Sequence, residues 1–182
     1  MAAPHSEPSH RNPDPQRVPQ LSLHTPVGDL TLSEEDGAIV AVDWGWGRDQ
    51  AETALLRHAR DQLHAYFDGD RMAFDVTLAP AGTAYRRRVW DALCRIPAGA
   101  TRTYGEIARE VGGSARSVGG ANAANPIPIL IPCHRVVAGD GIGGYSGGDG
   151  LPTKHFLLYL EARALQQRAQ VQAKAPARPG RG

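Results

Sequence analysis

The stretch Asn125-Pro126-Ile127-Pro128-Ile129-Leu130-Ile131-Pro132 constrains this chain more than any other. Three prolines in eight residues fix backbone angles and remove amide donors, so neither a helix interior nor a central strand passes through it. It reads as a stiff, apolar approach to Cys133-His134-Arg135-Val136-Val137. A thiol attacks as thiolate, which a neighbouring base generates directly or through water, while a carboxylate behind that base holds its tautomer. Consecutive side chains of a strand diverge, so contact between Cys133 and His134 needs a turn or a bridging water. A lone Cys-His pair is also what a buried cysteine beside a capping histidine looks like. The proline bracket and the glycine-rich segment 139–150 favour a shaped pocket.

The rest of the chain can supply the walls. At 182 residues, 41% hydrophobic and 21% charged, it has material for one medium domain or two small ones and is not of disordered composition. No apolar run approaches the ~20 residues of a membrane helix, and the N-terminus lacks a secretory pattern, so a cytoplasmic protein with no membrane partner is expected. Two cysteines are no disulfide framework and read as free thiols. The net charge of +1 conceals an asymmetry. Residues 1–83 carry 6 basic and 13 acidic groups, residues 84–161 carry 9 and 6, and residues 162–182 carry 5 and none. A polyanion would bind the second half, although a solvated surface with a basic tail has the same composition.

Residues 1–18 and the far C-terminus read as disordered tails. Leu21, Leu23, Leu30 and Leu32 alternate with polar residues across Pro26-Val27-Gly28-Asp29 and predict a β-hairpin. Residues 38–44 predict a third strand, Leu55, Ala59, Leu63 and Phe67 a helix over 50–67, and residues 74–78 a short strand. This small α/β unit, 19–82, looks like structural support, with no evident chemistry. From Thr83 the pattern turns helical. Tyr85, Val89 and Leu93 mark one helix, Thr103 and Glu106 form a capping box for a second, and Ser114 caps a third after Gly112-Gly113. Helix, glycine turn, helix is the pattern of a helix-turn-helix, although many helix pairs share it. The last of these helices is built of small residues: Ala115, Ser117, Gly119, Gly120, Ala121, Ala123 and Ala124, with Arg116 its one long cation. Close packing on a neighbouring helix and close approach to DNA explain that composition equally well.

The run Asn125-Pro126 followed by Ile131-Pro132-Cys133-His134-Arg135-Val136-Val137 resembles the O6-alkylguanine-DNA alkyltransferases, whose active-site motif contains Pro-Cys-His-Arg-Val. The resemblance extends over about residues 84–161, through Trp90, Ile96-Pro97, Tyr104-Gly105, Arg116, Val118-Gly119, Gly144-Tyr145, Gly147-Gly148, Lys154 and Glu161. It implies an α+β protein, a small N-terminal α/β domain packed on a mostly helical C-terminal domain (83–170) with a helix-turn-helix, followed by a disordered basic tail over 171–182. It implies a suicide methylated-DNA–protein-cysteine methyltransferase. Such a protein flips O6-alkylguanine, and O4-alkylthymine, from duplex DNA and takes the alkyl group irreversibly onto its own cysteine, once per molecule.

The resemblance also assigns roles. Cys133 is the acceptor, His134 its base through a water, Glu161 the group that polarises His134, and Tyr104 a donor to the departing guanine. Arg116 fills the gap left by the flipped base. Ser117, Gly119, Ala121, Asn122 and Arg135 complete the DNA-binding set, with the recognition helix in the minor groove. Asn125, Pro128, Tyr145, Ser146, Gly147 and Lys154 line the substrate pocket, Asn125 bracing the turn before the cysteine. No metal or cofactor is implied, and the protein is expected to be a monomer in a bacterial-type cytoplasm, associated with the nucleoid.

Other readings compete. Gly144-Tyr145-Ser146-Gly147-Gly148 matches the nucleophile elbow of serine hydrolases, but the strand before it and the residues after it for an Asp and a His are lacking. A cysteine hydrolase built on Cys133, His134 and Glu161 would turn over an ester or amide. A non-catalytic DNA sensor of the same fold would replace the cysteine. Cys94 reads as a helix residue without a role, and His24, His58, His64 and His155 lack metal-ligand spacing.

Overall fold

The computed structural model describes residues 18–48 and 50–174; both expected disordered tails lie largely outside them. Three antiparallel strands open the fold, β1 (Gln20–Leu23), β2 (Leu30–Glu35) and β3 (Ala38–Trp44), in the order β1-β2-β3. Leu21 faces Leu32 and Leu23 faces Leu30, so the alternation that marks the hairpin puts one apolar row on the core side. Helix α1 (Ala54–Phe67) packs across this sheet. It starts four residues later than its apolar spacing suggests, because the Thr53 hydroxyl accepts from Leu56 N at 3.1 Å and caps it there. The buried residues Leu56, Ala59, Leu63, Tyr66 and Phe67 form its inner face.

The strand expected over 74–78 does not form. Residues 71–79 cross the open edge of β3 in irregular backbone and touch it at one bridge, Leu78 to Ile39. There Ile39 N donates to Thr77 O and Ala79 N to Ile39 O, both at 2.9 Å. Alternation supplied the side chains for a strand, but only one register position finds a partner.

The second unit is helical: α2 (Ala84–Cys94), α3 (Tyr104–Val111), α4 (Ala115–Ala123) and α5 (Leu151–Lys174), with a two-stranded parallel ladder of β4 (Arg102–Thr103) and β5 (Val136–Val137). The capping box on α3 is made in full: Thr103 Oγ1 accepts from Glu106 N at 3.2 Å, and the Glu106 carboxylate accepts from Thr103 N at 2.6 Å. Ser114 and Ser117 form a second box on α4. Between them the chain reverses through Gly112 and Gly113, at φ +86° and +93°. A side chain at Gly113 would strike the hydroxyls of Ser117 and Tyr85 at 2.7 Å, so glycine is required there on two counts. Helix α5 runs on to Lys174, so residues 171–174, expected in the tail, are helical. One core joins both units, running from Leu30 and Ile39 through Tyr66 and Trp90 to Ile127, Ile131 and Leu157.

Candidate active site

The proline-rich stretch does what its composition demands. It turns back on itself between α4 and the cysteine: Ile131 N donates to Ile127 O at 2.9 Å and Leu130 N to Pro128 O at 3.0 Å. The tightness of the turn leaves Ile129, buried and β-branched, at φ +73°, a conformation costing roughly 1–3 kcal/mol. Asn125 braces it from inside, donating from Nδ2 to Ile131 O at 2.9 Å and accepting from Ile127 N at 3.0 Å. The chain then enters a single 3-10 turn, Cys133–Arg135. A turn, not a strand, is therefore what brings the consecutive side chains of Cys133 and His134 into one buried neighbourhood.

His134 and Glu161 are fully buried and joined at 2.8 Å, Nε2 to Oε1. Burial pushes the Glu161 carboxyl up, but hydrogen bonds from His134 and Arg135, with their charges, outweigh it and hold the group at about 2. Burial pushes the His134 imidazole down, and with the charges of Arg135 and Lys154 it outweighs the pull of Glu161. A carboxylate that stays ionised can only accept, and a neutral imidazole has one N–H. That proton is therefore on Nε2, and Nδ1 is left as a bare acceptor. Nδ1 makes no hydrogen bond among the described residues, and none joins the ring directly to the sulfur.

Cys133 is 5% exposed yet lines two cavities. One, about 260 Å³, is walled by Tyr104, Gly119, Asn122, Ala123, Gly144, Tyr145 and Ser146. The other, about 300 Å³, runs from the same sulfur past Asn125, Pro126, Pro128 and Gly147 to Val42, Asp43 and Trp44 of β3. Each is near the lower end of the size of small-molecule sites. Gly147 lies so close to Trp44 that an added Cβ would sit 2.8 Å from its ring. Burial raises the Cys133 pKa, opposed by donors at Asn125 and Tyr145 and by the charge of Lys154. The Tyr145 hydroxyl stops short of a full hydrogen bond by geometry, so its effect on the sulfur is that of a nearby dipole. Burial and then the Cys133 charge raise both Tyr104 and Tyr145, so both phenols stay protonated donors. A larger cavity, about 760 Å³, is lined by residues of 70–78 and by Pro132 and Arg135, but not by Cys133.

Several expected positions fall elsewhere. Arg135, which the resemblance puts in the DNA-binding set, is 6% exposed. Its Nη2 donates to Glu161 Oε1 at 2.8 Å and its Nη1 to Ile96 O at 2.5 Å. The planar fork matches a carboxylate, and the 3-10 turn points it inward. Ala121 is buried, its carbonyl accepting from Trp90 Nε1 at 2.9 Å. Asn122 is also buried and donates to Cys133 O at 3.3 Å, on the pocket side. Lys154 lines neither cavity at the sulfur. Its ammonium is buried against three carbonyls, Val136 and Ile142 at 2.6 Å and Gly144 at 3.0 Å, which ties β5, just after the cysteine turn, to the pocket loop. Arg116 and Ser117 are exposed, and Ser117 is spent on its cap and on the Tyr85 hydroxyl at 2.8 Å. Sequence reasoning missed the N-terminal contributors Val42, Asp43, Trp44 and Tyr66. Nothing in a core aromatic at helical spacing marks it as a partner of a distant carboxylate.

Residues 84–163 match the profile of the 6-O-methylguanine DNA methyltransferase DNA binding domain, and residues 21–80 that of its ribonuclease-like domain. The chain belongs to the 6-O-methylguanine DNA methyltransferase family. A methylated-DNA–protein-cysteine methyltransferase of Mycobacterium bovis is 53% identical over 153 residues, 77% of this chain and 90% of its own. That of Methanosarcina acetivorans is 43% identical over 150 residues, 76% of this chain and 95% of its own. The crystal structure of Mycobacterium tuberculosis OGT in complex with DNA superposes with a TM-score of 0.73 at 40% identity, over 81% of this chain and 94% of that one. Both halves of the α+β fold are thus those of the family. Among the described residues no three His, Cys, Asp or Glu side chains are grouped to hold a metal, and no helix is long and apolar enough to cross a membrane.

Proposed function

We propose that this protein repairs alkylated DNA by direct reversal, moving the alkyl group of O6-alkylguanine, and of O4-alkylthymine, from a flipped nucleotide onto Cys133. The observation that carries the reading is Cys133 on the shared lining of two cavities, one residue from a fully buried His134–Glu161 pair. The cysteine rests as a thiol. His134 Nδ1 takes its proton through a water, and Glu161 stabilises the imidazolium. The sulfur attacks the alkyl carbon in line; the S–C bond forms as the C–O6 bond breaks. The electron pair passes into the purine, where the Tyr104 hydroxyl stabilises it, as donors do in an oxyanion hole. The guanine anion then regains a proton from water. The product is a thioether, which nothing in the site hydrolyses, so each molecule reacts once.

Delivery of the base falls to α4. Extrusion costs a few kcal/mol, which an inserted side chain partly offsets. Arg116 is exposed and makes no salt bridge among the described residues. A Cβ at Gly119 or Gly120 would meet nothing, so the fold itself does not demand these glycines. Gly119 borders the cavity at Cys133, but Gly120 is exposed, and a helix that gives up about 1 kcal/mol there has an outward reason to be small, which a minor-groove floor supplies. The relay side chains all come from one chain, which supports action as a monomer, and action on genomic DNA supports a cytoplasmic, nucleoid-associated location. The test is mass spectrometry of the Cys133 peptide after incubation with a duplex containing O6-methylguanine. One methyl group on that peptide is expected. An unmodified peptide, or methyl on Cys94 instead, refutes the reading.

A further inference from the structure

We infer that Tyr66, on α1 of the N-terminal unit, is a positioning residue for the His134–Glu161 relay, acting across the boundary between the two units. Its consequence for repair rests on the alkyl-transfer reading; the coupling to His134 does not. The Tyr66 hydroxyl donates to Glu161 Oε1 at 2.8 Å, across 95 residues of sequence. The same oxygen accepts from His134 Nε2 and Arg135 Nη2 at 2.8 Å and from Arg135 Nε at 3.1 Å, while Oε2 accepts from Gly99 N at 2.9 Å. The phenol is fully buried, its ring edge-on to Phe67 at 5.4 Å and tilted on Phe74 at 5.3 Å. It therefore cannot swing away to water, and its one hydrogen bond among the described residues is spent on the atom that holds the imidazole.

Sharing one oxygen has a definite consequence. Each donor to a carboxylate draws off negative charge and weakens its hold on a proton nearby. The charged and titratable groups around His134 are Glu161 and Lys154 from α5 and Arg135 and the Cys133 thiol from its own turn, with Tyr66 from α1 behind Glu161. Arg135 and Lys154 make the imidazolium harder to form, and Glu161 makes it easier. Tyr66 moderates Glu161. It sets how strongly the carboxylate pulls on His134, and so the pH below which the base is already protonated and cannot take the thiol proton. The N-terminal unit thereby takes part in the chemistry through one hydroxyl.

The test reads the relay without DNA. The rate of Cys133 alkylation by iodoacetamide, followed by the mass of the Cys133 peptide so that Cys94 does not interfere, is measured against pH. Wild type is compared with Tyr66→Phe and with protein carrying 3,5-difluorotyrosine at position 66, a stronger donor of nearly the same shape. Removing the donor is expected to move the acid limb to higher pH by about half a unit, roughly threefold in rate on the limb; the fluorinated donor is expected to move it lower. A merely structural hydroxyl would change thermal stability and leave the limb in place. Unmoved limbs in both folded proteins overturn the assignment, and if Tyr66→Phe fails to fold the fluorinated protein decides alone. Limbs that move as expected in a protein that takes no methyl from DNA would refute the repair reading and leave Tyr66 in its place.

Discussion

Two clusters flank the Cys133 sulfur, and they are built on opposite terms. At the relay every strong donor is committed: Glu161 accepts from Tyr66, Gly99, His134 and Arg135, and Arg135 also caps the Ile96 carbonyl. On α4 the outward residues Arg116 and Gly120 touch little of the protein, and Gly120 could carry a side chain without a clash. The relay is over-determined by the fold. The outer face of α4 is under-determined by it, so its composition answers to something outside the chain. Substitution should therefore damage folding at the first cluster and function alone at the second.

The largest effect belongs to the relay. Glu161→Gln leaves the Arg135 guanidinium buried without its carboxylate, which should cost about 3–5 kcal/mol of stability, measurable by urea denaturation. A loss under 1 kcal/mol would break the contrast. On α4, Arg116→Ala should leave stability within about 0.5 kcal/mol. Transfer from duplex DNA should slow at least tenfold, about 1.4 kcal/mol, while transfer from free O6-benzylguanine, which needs no flipping, stays unchanged. Equal slowing on both substrates would remove Arg116 from base extrusion. Acid should find the relay next. With His134 held below its usual range and Glu161 at about 2, the unfolded chain binds more protons than the folded one at low pH. Stability should fall as pH drops below about 6.5, and fall again between about 4.5 and 2. A flat profile from pH 7 to 5 would contradict a buried neutral imidazole. The smallest effect is the most diagnostic. Gly120→Ala should raise stability by about 0.5–1 kcal/mol and still slow duplex repair, a gain in folding paired with a loss in function.

The same contrast explains what could be read from sequence. Caps and turns are local, so Thr103 with Glu106, Ser114, and the Gly112-Gly113 reversal were legible from residues a few positions apart. The alternation of β1 and β2 was legible because its leucines share one apolar face, although the polar face with Ser22, Thr31 and Ser33 is buried too. The cysteine motif and its His134 and Glu161 partners were legible through the family resemblance. What failed depends on long-range contact. Arg135 is a cation among exposed cations in sequence, and only the fold shows its fork closed on Glu161. Lys154 likewise ends on three carbonyls. The segment 74–78 alternates like a strand but meets β3 at a single bridge. Tyr66 and Trp44 look like core aromatics, and the N-terminal unit accordingly looked like scaffold. Its part in the site comes from positions brought together across the whole chain.

The account stands most directly on the fate of the sulfur. Protein incubated with a large excess of duplex carrying O6-methylguanine, with restored guanine counted over time, should plateau at one guanine per protein molecule, and Cys133→Ala should restore none while still binding the duplex. Continued release past one equivalent, or repair by the alanine variant, would contradict it.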